Sequence, residues 1–149
     1  MSIEEDIKQG KALSPFTKAI INIIYTNSWI GQHHSELFKE FDLTIPQYNV
    51  LRILRGQNPN PATVNLIIER MLDKSSNASR IVDKLVSKGL VVRKQCPSDR
   101  RAVDVFISKE GLELLEKIDG VLQDWEDKMS KLSEKDYQLL NSLLDKMRS

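Results

Sequence analysis

The 149 residues, 40% of them hydrophobic, make one domain's worth of chain, long enough to bury a core. No run approaches the roughly 18 apolar residues that span a bilayer, and the opening stretch with Glu4, Glu5 and Asp6 is not expected to act as a secretory signal. One cysteine, Cys96, excludes an intrachain disulfide or a thiolate metal cluster within one chain, and a net charge of +1 argues for no partner by itself.

Ser14-Pro15 joins a hydroxyl N-cap to proline at the first helical position. Phe16, Ile20, Ile23, Ile24, Trp29 and Ile30 then recur at helical spacing, which predicts a first helix running to about Phe41. That is more apolar surface than a lone solvent-facing helix needs. Thr44, with Pro46 in the first turn, opens a second helix with Val50, Leu51, Ile53 and Leu54 on its apolar side, and Gly56 is placed to stop it. Gln57 to Pro61 is a turn cluster. A third helix is expected from about Ala62 to Leu72. After the break Asp73-Lys74-Ser75, a fourth is expected from about Ser76 to Lys88, ending at Gly89.

The period then changes. Leu90 to Cys96 reads as a strand, Pro97 to Arg101 as a charged turn, and Val103, Val105 and Ile107 alternate with their neighbours as a returning strand. Ser108 to Gly111 starts a fifth helix, to about Met129. Ser133 with Asp136 resembles a capping box at the start of a sixth, which carries Tyr137, Leu140, Leu143, Leu144 and Met147. The fold expected is mainly α with a small β-hairpin wing: a winged helix-turn-helix flanked by long helices.

Charge is unevenly placed along this order. Residues 70–104 hold 9 Lys/Arg and 4 Asp/Glu, a net +5, while residues 1–45 and 105–149 are net acidic. A basic block between acidic ends is the footprint of a polyanion site. Within it, Ala78, Ile81, Val82 and Leu85 form one buried stripe of the fourth helix, opposite Ser76, Asn77, Ser79, Arg80, Asp83, Lys84 and Ser87. Short or hydrogen-bonding leading side chains suit a helix entering the DNA major groove, where Asn reads adenine and Arg reads guanine. Ser75 and Ser76 sit where backbone N–H groups and the helix dipole favour a phosphate. Arg100 and Arg101 at a narrow hairpin tip suit the minor groove, and Asp99 is expected to hold an arginine in register by a charge-assisted pair. Each feature alone also fits a solvated surface; a basic hairpin directly after a polar-faced helix favours DNA.

The run from Ser76 to Val91 resembles the recognition helix and first wing strand of the MarR family of bacterial regulators. Asp99-Arg100-Arg101 followed by Ile107 to Gly111 resembles that family's wing signature, and Leu43 to Tyr48 its entry to the second helix, with one extra residue before the proline. The resemblance covers nearly the whole chain. It implies a single domain over 1–149, with a DNA-binding lobe over about 44–108 and dimerisation helices over 1–43 and 109–149. It further implies a homodimer on a pseudo-palindromic double-stranded operator, most simply a repressor released by a small aromatic effector; the composition leads to the expectation that it is cytoplasmic. By this resemblance Ser76, Asn77, Ser79, Arg80 and Lys84 face groove or backbone, Arg101 is the signature arginine and Asp99 its partner.

Other readings stay open. Cys96 lies near Arg93, Lys94 and Arg100, which would lower a thiol pKa and suit a redox sensor. His33-His34 with Glu36 and Glu40 suggests metal, although adjacent histidines on a helix point about 100° apart. Tyr25 and Trp29 suit either an effector pocket or a dimer interface. A winged helix that binds only protein is disfavoured by Asn77, Arg80 and Arg101. No phosphate loop, nucleophile elbow or metal-ligand spacing suggests an enzyme, a cofactor or a metal site.

Overall fold

The computed structural model describes residues 2–99 and 102–149. The chain divides into two compact units, Met1–Leu115 and Glu116–Ser149. The first holds α1 (Ile3–Asp6), α2 (Pro15–Lys39), α3 (Ile45–Gln57), α4 (Val64–Arg70), α5 (Ala78–Ser87), β1 (Val91–Gln95) and β2 (Val103–Ile107). Helix α6 (Lys109–Met129) begins in the first unit, and α7 (Glu134–Arg148) lies in the second.

Local chemistry accounts for most of these boundaries. Ser14 Oγ accepts from the Thr17 N–H (3.2 Å) and starts α2. At its far end the Leu43 N–H reaches Phe38 O (3.0 Å) and Asp42 takes the left-handed conformation (φ 53°). Thr44 and Gln47 cap α3 reciprocally. Helix α1 was not anticipated. Its Ile3 is buried, and Glu4 pairs with Lys18 of α2 at 2.8 Å, a contact that holds the Glu4 carboxyl below the usual range.

Three of the expected boundaries that move have a visible local cause. Helix α3 passes through Gly56 and stops at Asn58 (ψ 132°), where Pro59 disfavours helical backbone in the residue before it. Helix α4 does not begin at Ala62: the N–H and C=O of Ala62 both bond to Val105 at 2.9 Å, adding a bridge to the wing, and Thr63 caps the helix instead. Helix α5 starts two residues late because Asn77 Oδ1 accepts from the Arg80 N–H (3.1 Å) and serves as the cap.

Strands β1 and β2 pair antiparallel with Val91 opposite Ile107 and Gln95 opposite Val103. Phe38, Val50, Leu51, Leu54, Ile67, Val82, Leu85, Val91 and Val105 form the core of the first unit, all essentially sealed from solvent. Each such side chain contributes about 1.5–3 kcal/mol by leaving water. The second unit behaves otherwise: α7, capped by Ser133 and Asp136, has no buried residue. Among the described residues no helix is long and apolar enough to cross a membrane.

Candidate nucleic-acid interface

Helix α5 is strongly two-sided. Ala78, Val82 and Leu85 are buried, while Ser79, Arg80, Asp83, Lys84 and Ser87 form a continuous exposed arc. Its C-terminus is closed by Gly89 at φ 72°: the Gly89 N–H reaches Val86 O (3.0 Å) and the Leu90 N–H reaches Leu85 O (3.0 Å). This is a Schellman closure, which favours glycine because a side chain is strained at that φ. It turns the chain from helix to β1 within three residues.

The same joint is held from the other side by Ser108. Its N–H donates to Leu90 O (3.0 Å), its hydroxyl donates to Gly89 O (2.7 Å), and Ser108 Oγ in turn accepts from the Gly111 N–H (3.0 Å). Gly111 has no room for a side chain, since a Cβ there would lie 2.4 Å from Leu90 O. The serine and glycine that open α6 thus fasten the base of the wing to the end of α5.

The front of α5 is organised by Asp73. Its carboxylate accepts from the Ser75 N–H (2.9 Å), the Ser75 hydroxyl (2.6 Å) and the Ser76 hydroxyl (3.2 Å). These bonds, the Ser75 hydroxyl first, lower the Asp73 pKa. At the two serines expected beside a phosphate, the Ser75 N–H and both hydroxyls are therefore engaged by a carboxylate in the free protein. Asn77, read as a base contact, has its carbonyl oxygen on the helix cap. Ser79 and Arg80 stand on the exposed arc as expected, and Lys84 lines a cleft of about 600 Å³ with Lys39, Lys88, Glu36 and Asp42 among its walls.

At the wing, the Cys96 N–H donates to Ala102 O (3.1 Å) and the Ala102 N–H to Asp99 O (3.0 Å), so the Asp99 carbonyl helps close the turn. The arginines Arg100 and Arg101 lie outside the described residues. Cys96 has its thiol pKa lowered, first by the Ser98 hydroxyl at 3.2 Å and then by the Ser98 and Asp99 amides, with Asp104 opposing. Of the three cations expected to cause it, Arg100 lies outside the described residues, and the other two are turned to other partners. Arg93 pairs with Asp83, and the Lys94 ammonium sits 5.5 Å from the Phe106 ring centre. His33 packs edge-on against Trp29 at 4.8 Å and His34 lies 5.6 Å from Phe38, so the two imidazoles serve different ring contacts. Among the described residues no group of three or more His, Cys, Asp or Glu is placed to hold a metal.

Several ties escaped the sequence reading. Asn49 Oδ1 of α3 accepts from the Leu72 N–H (3.0 Å), pinning the turn that leads to α5. Lys74 donates to the last carbonyls of α4, at Ile68 and Glu69. Lys88 pairs with Asp42 (3.2 Å) and donates to Gln47 Oε1 (3.3 Å), anchoring the end of α5 to the α2–α3 junction. The α5–β1 tie between Asp83 and Arg93 belongs with them. Only the Lys88-Gly89 pair carried a local signal, a cation at a helix C-terminus.

This arrangement is a three-helix unit with a polar, cap-ordered third helix fastened to a two-stranded wing. A model of the MarR family matches residues 41–102, from the end of α2 through the wing turn. The HTH-type transcriptional repressor IacR of Pseudomonas putida is 30% identical over 115 residues, 76% of this chain and 68% of that protein. The chain belongs to the MarR family. A second relative, the HTH-type transcriptional regulator YkoM of Bacillus subtilis, is 32% identical over 89 residues; the match spans 60% of this chain and 56% of that protein. An organohalide-sensing transcriptional regulator, solved in its 2,4-dichlorophenol-bound form, has the same fold with a TM-score of 0.82 over 94% of this chain and 85% of that one, at 16% identity. As a member of the MarR family, this protein is a DNA-binding transcriptional regulator.

Proposed function

We propose that this MarR-family regulator acts in the cytoplasm as a homodimeric repressor of a pseudo-palindromic operator, without catalytic activity of its own, and that a small aromatic effector releases it. The observation that carries the DNA reading is the exposed arc of α5 fastened directly to the wing through Gly89, Leu90 and Ser108. Ser79, Arg80 and Lys84 on that arc face the major groove. Asn77 adds its amide to the same face, and Ser75 and Ser76 lie against the phosphate backbone once DNA competes with Asp73 for their hydroxyls. Arg100 and Arg101 enter the minor groove, with Asp99 setting the turn that carries them.

The dimer reading rests on apolar surface that the chain leaves uncovered. Phe16 is 72% exposed and Ile24 63% on α2, and Leu139 is 59% exposed on α7. Such faces ask for a partner helix, and a second copy supplies it through residues 1–43 and 109–149, leaving 44–108 as the DNA-binding lobe. The two α5 helices of a dimer then meet half-sites about 10–10.5 bp apart. An aromatic effector is supported by the dichlorophenol held by the organohalide-sensing regulator of like fold. The effector acts by preferring a spacing of the two lobes that no longer fits the duplex.

Selection of bound fragments from a random duplex pool, followed by titration against salt, tests this reading. An inverted repeat with half-sites one turn apart, and a steep loss of affinity as salt rises, is the expected result. With that operator, Arg101→Ala is expected to weaken binding by about an order of magnitude or more while leaving the dimer intact. Recovery of no enriched sequence at any salt overturns the reading.

A further inference from the structure

The acidic residue of α5, Asp83, stands on the exposed arc between Arg80 and Lys84. A bare carboxylate there would repel a phosphate backbone. It is not bare: the Arg93 guanidinium, reaching across from β1, donates to it. The strand geometry explains the reach. Val91, Arg93 and Gln95 share one face of β1, and Val91 on that face is buried, so Arg93 is turned toward the helical body. Lys94, on the opposite face, lies instead against Phe106 of β2.

We infer that Asp83 and Arg93 are positioning residues for operator recognition: the pair sets the angle of the wing against α5, and Arg93 acts through Asp83 without touching DNA. This rests on the DNA reading above and adds to it a specificity role for two residues outside the base- and phosphate-facing set. The other fastenings between these elements, at Gly89, Leu90 and Ser108, all lie at the base of the hairpin. Farther out, Ala62 exchanges two backbone hydrogen bonds with Val105, the partner of Arg93 in the hairpin, and so holds β2 to the segment that precedes α4 rather than to α5. Among the described residues, the Asp83–Arg93 pair is the hydrogen-bonded tie that joins α5 itself to the wing partway out, two residues along β1. Both side chains are well exposed, 59% for Asp83 and 38% for Arg93. An ion pair so placed contributes little to folding stability, so its effect is expected on recognition rather than on melting.

The test uses the full-length protein, the operator recovered by selection, and a scrambled duplex of equal length. R93A and D83N are each expected to cut the ratio of operator to scrambled affinity about tenfold, the size of one loosened base contact. The double variant should fall no further than either single one, because both remove the same tie. The slope of log affinity against log salt and the melting temperature should match wild type. If instead R93A lowers the salt slope by about one and weakens both duplexes equally, while D83N leaves discrimination intact, Arg93 is a phosphate ligand and the inference falls. Unchanged discrimination in both single variants also overturns it. Failure of the wild-type protein to distinguish the two duplexes is a different result, which removes the DNA reading itself and the inference with it.

Discussion

Two regions of this chain carry apolar residues at the same helical spacing and end in opposite states. In the winged unit, Val50, Leu51, Leu54, Ile67, Val82 and Leu85 are all at most 1% exposed. On α7, Tyr137, Leu139, Leu140, Leu143 and Met147 remain between 36% and 59% exposed. Periodicity says which side of a helix is apolar; it does not say what covers it. The winged unit covers its own stripes because short helices, the backbone bridge at Ala62 and the hairpin converge on one centre. The terminal helices are long, and their stripes exceed what the same chain places against them.

That contrast can be broken or sharpened by experiment. The largest effect is expected from truncation after Met129, which removes α7 and should leave a monomer in sedimentation equilibrium; a stable dimer of the shortened chain would show that α7 covers nothing essential. Leu51→Ala should next cost about 2–5 kcal/mol in denaturant unfolding, as buried Leu-to-Ala changes do, at any protein concentration. Leu143→Ala should instead lower stability by an amount that depends on protein concentration, since its contribution passes through association; a concentration-independent loss would place Leu143 in the core of a single chain.

Gly111→Ala tests the fastening of wing to helix. With Leu90 O 2.4 Å from the added carbon, a loss of about 1–3 kcal/mol is expected from overpacking, read from the unfolding midpoint. Asn77 separates two roles carried by one residue. Asn77→Ala should cost about 1 kcal/mol through the lost cap, whereas Asn77→Asp keeps a cap oxygen and should preserve stability. If Asn77→Asp leaves operator preference intact, its amide reads no base.

The smallest effect concerns His34, half-buried on α2. Burial, reinforced by the neighbouring His33 charge, holds its pKa below the ordinary imidazole value. The unfolded chain therefore takes up the proton first as pH falls. The His34 contribution to stability is present above about pH 6.5 and is lost as pH drops through that value toward the lower folded pKa. The thermal midpoint should accordingly decline on acidification, and His34→Gln should flatten the decline; an identical slope in the variant would assign it to other groups.

Much of the local architecture was legible in the residues themselves. Ser14, Thr44 and Ser133 announce three helix starts, the alternation of Val103, Val105 and Ile107 announces a strand, and the polar face of the fourth helix beside a basic hairpin points to DNA. These signals act within a turn of helix or a few residues of strand, so they survive without knowledge of the rest of the chain. Only the tertiary structure decided that Ala62 pairs with the wing instead of opening a helix, that Asp73 occupies the serine hydroxyls, that Lys88 is anchored at Asp42 and Gln47, and that Arg93 reaches Asp83. Each of those depends on which faces meet after the core closes: a backbone bridge, a carboxylate or a cation takes whatever complementary group the packing brings within reach, and sequence spacing carries no record of that distance.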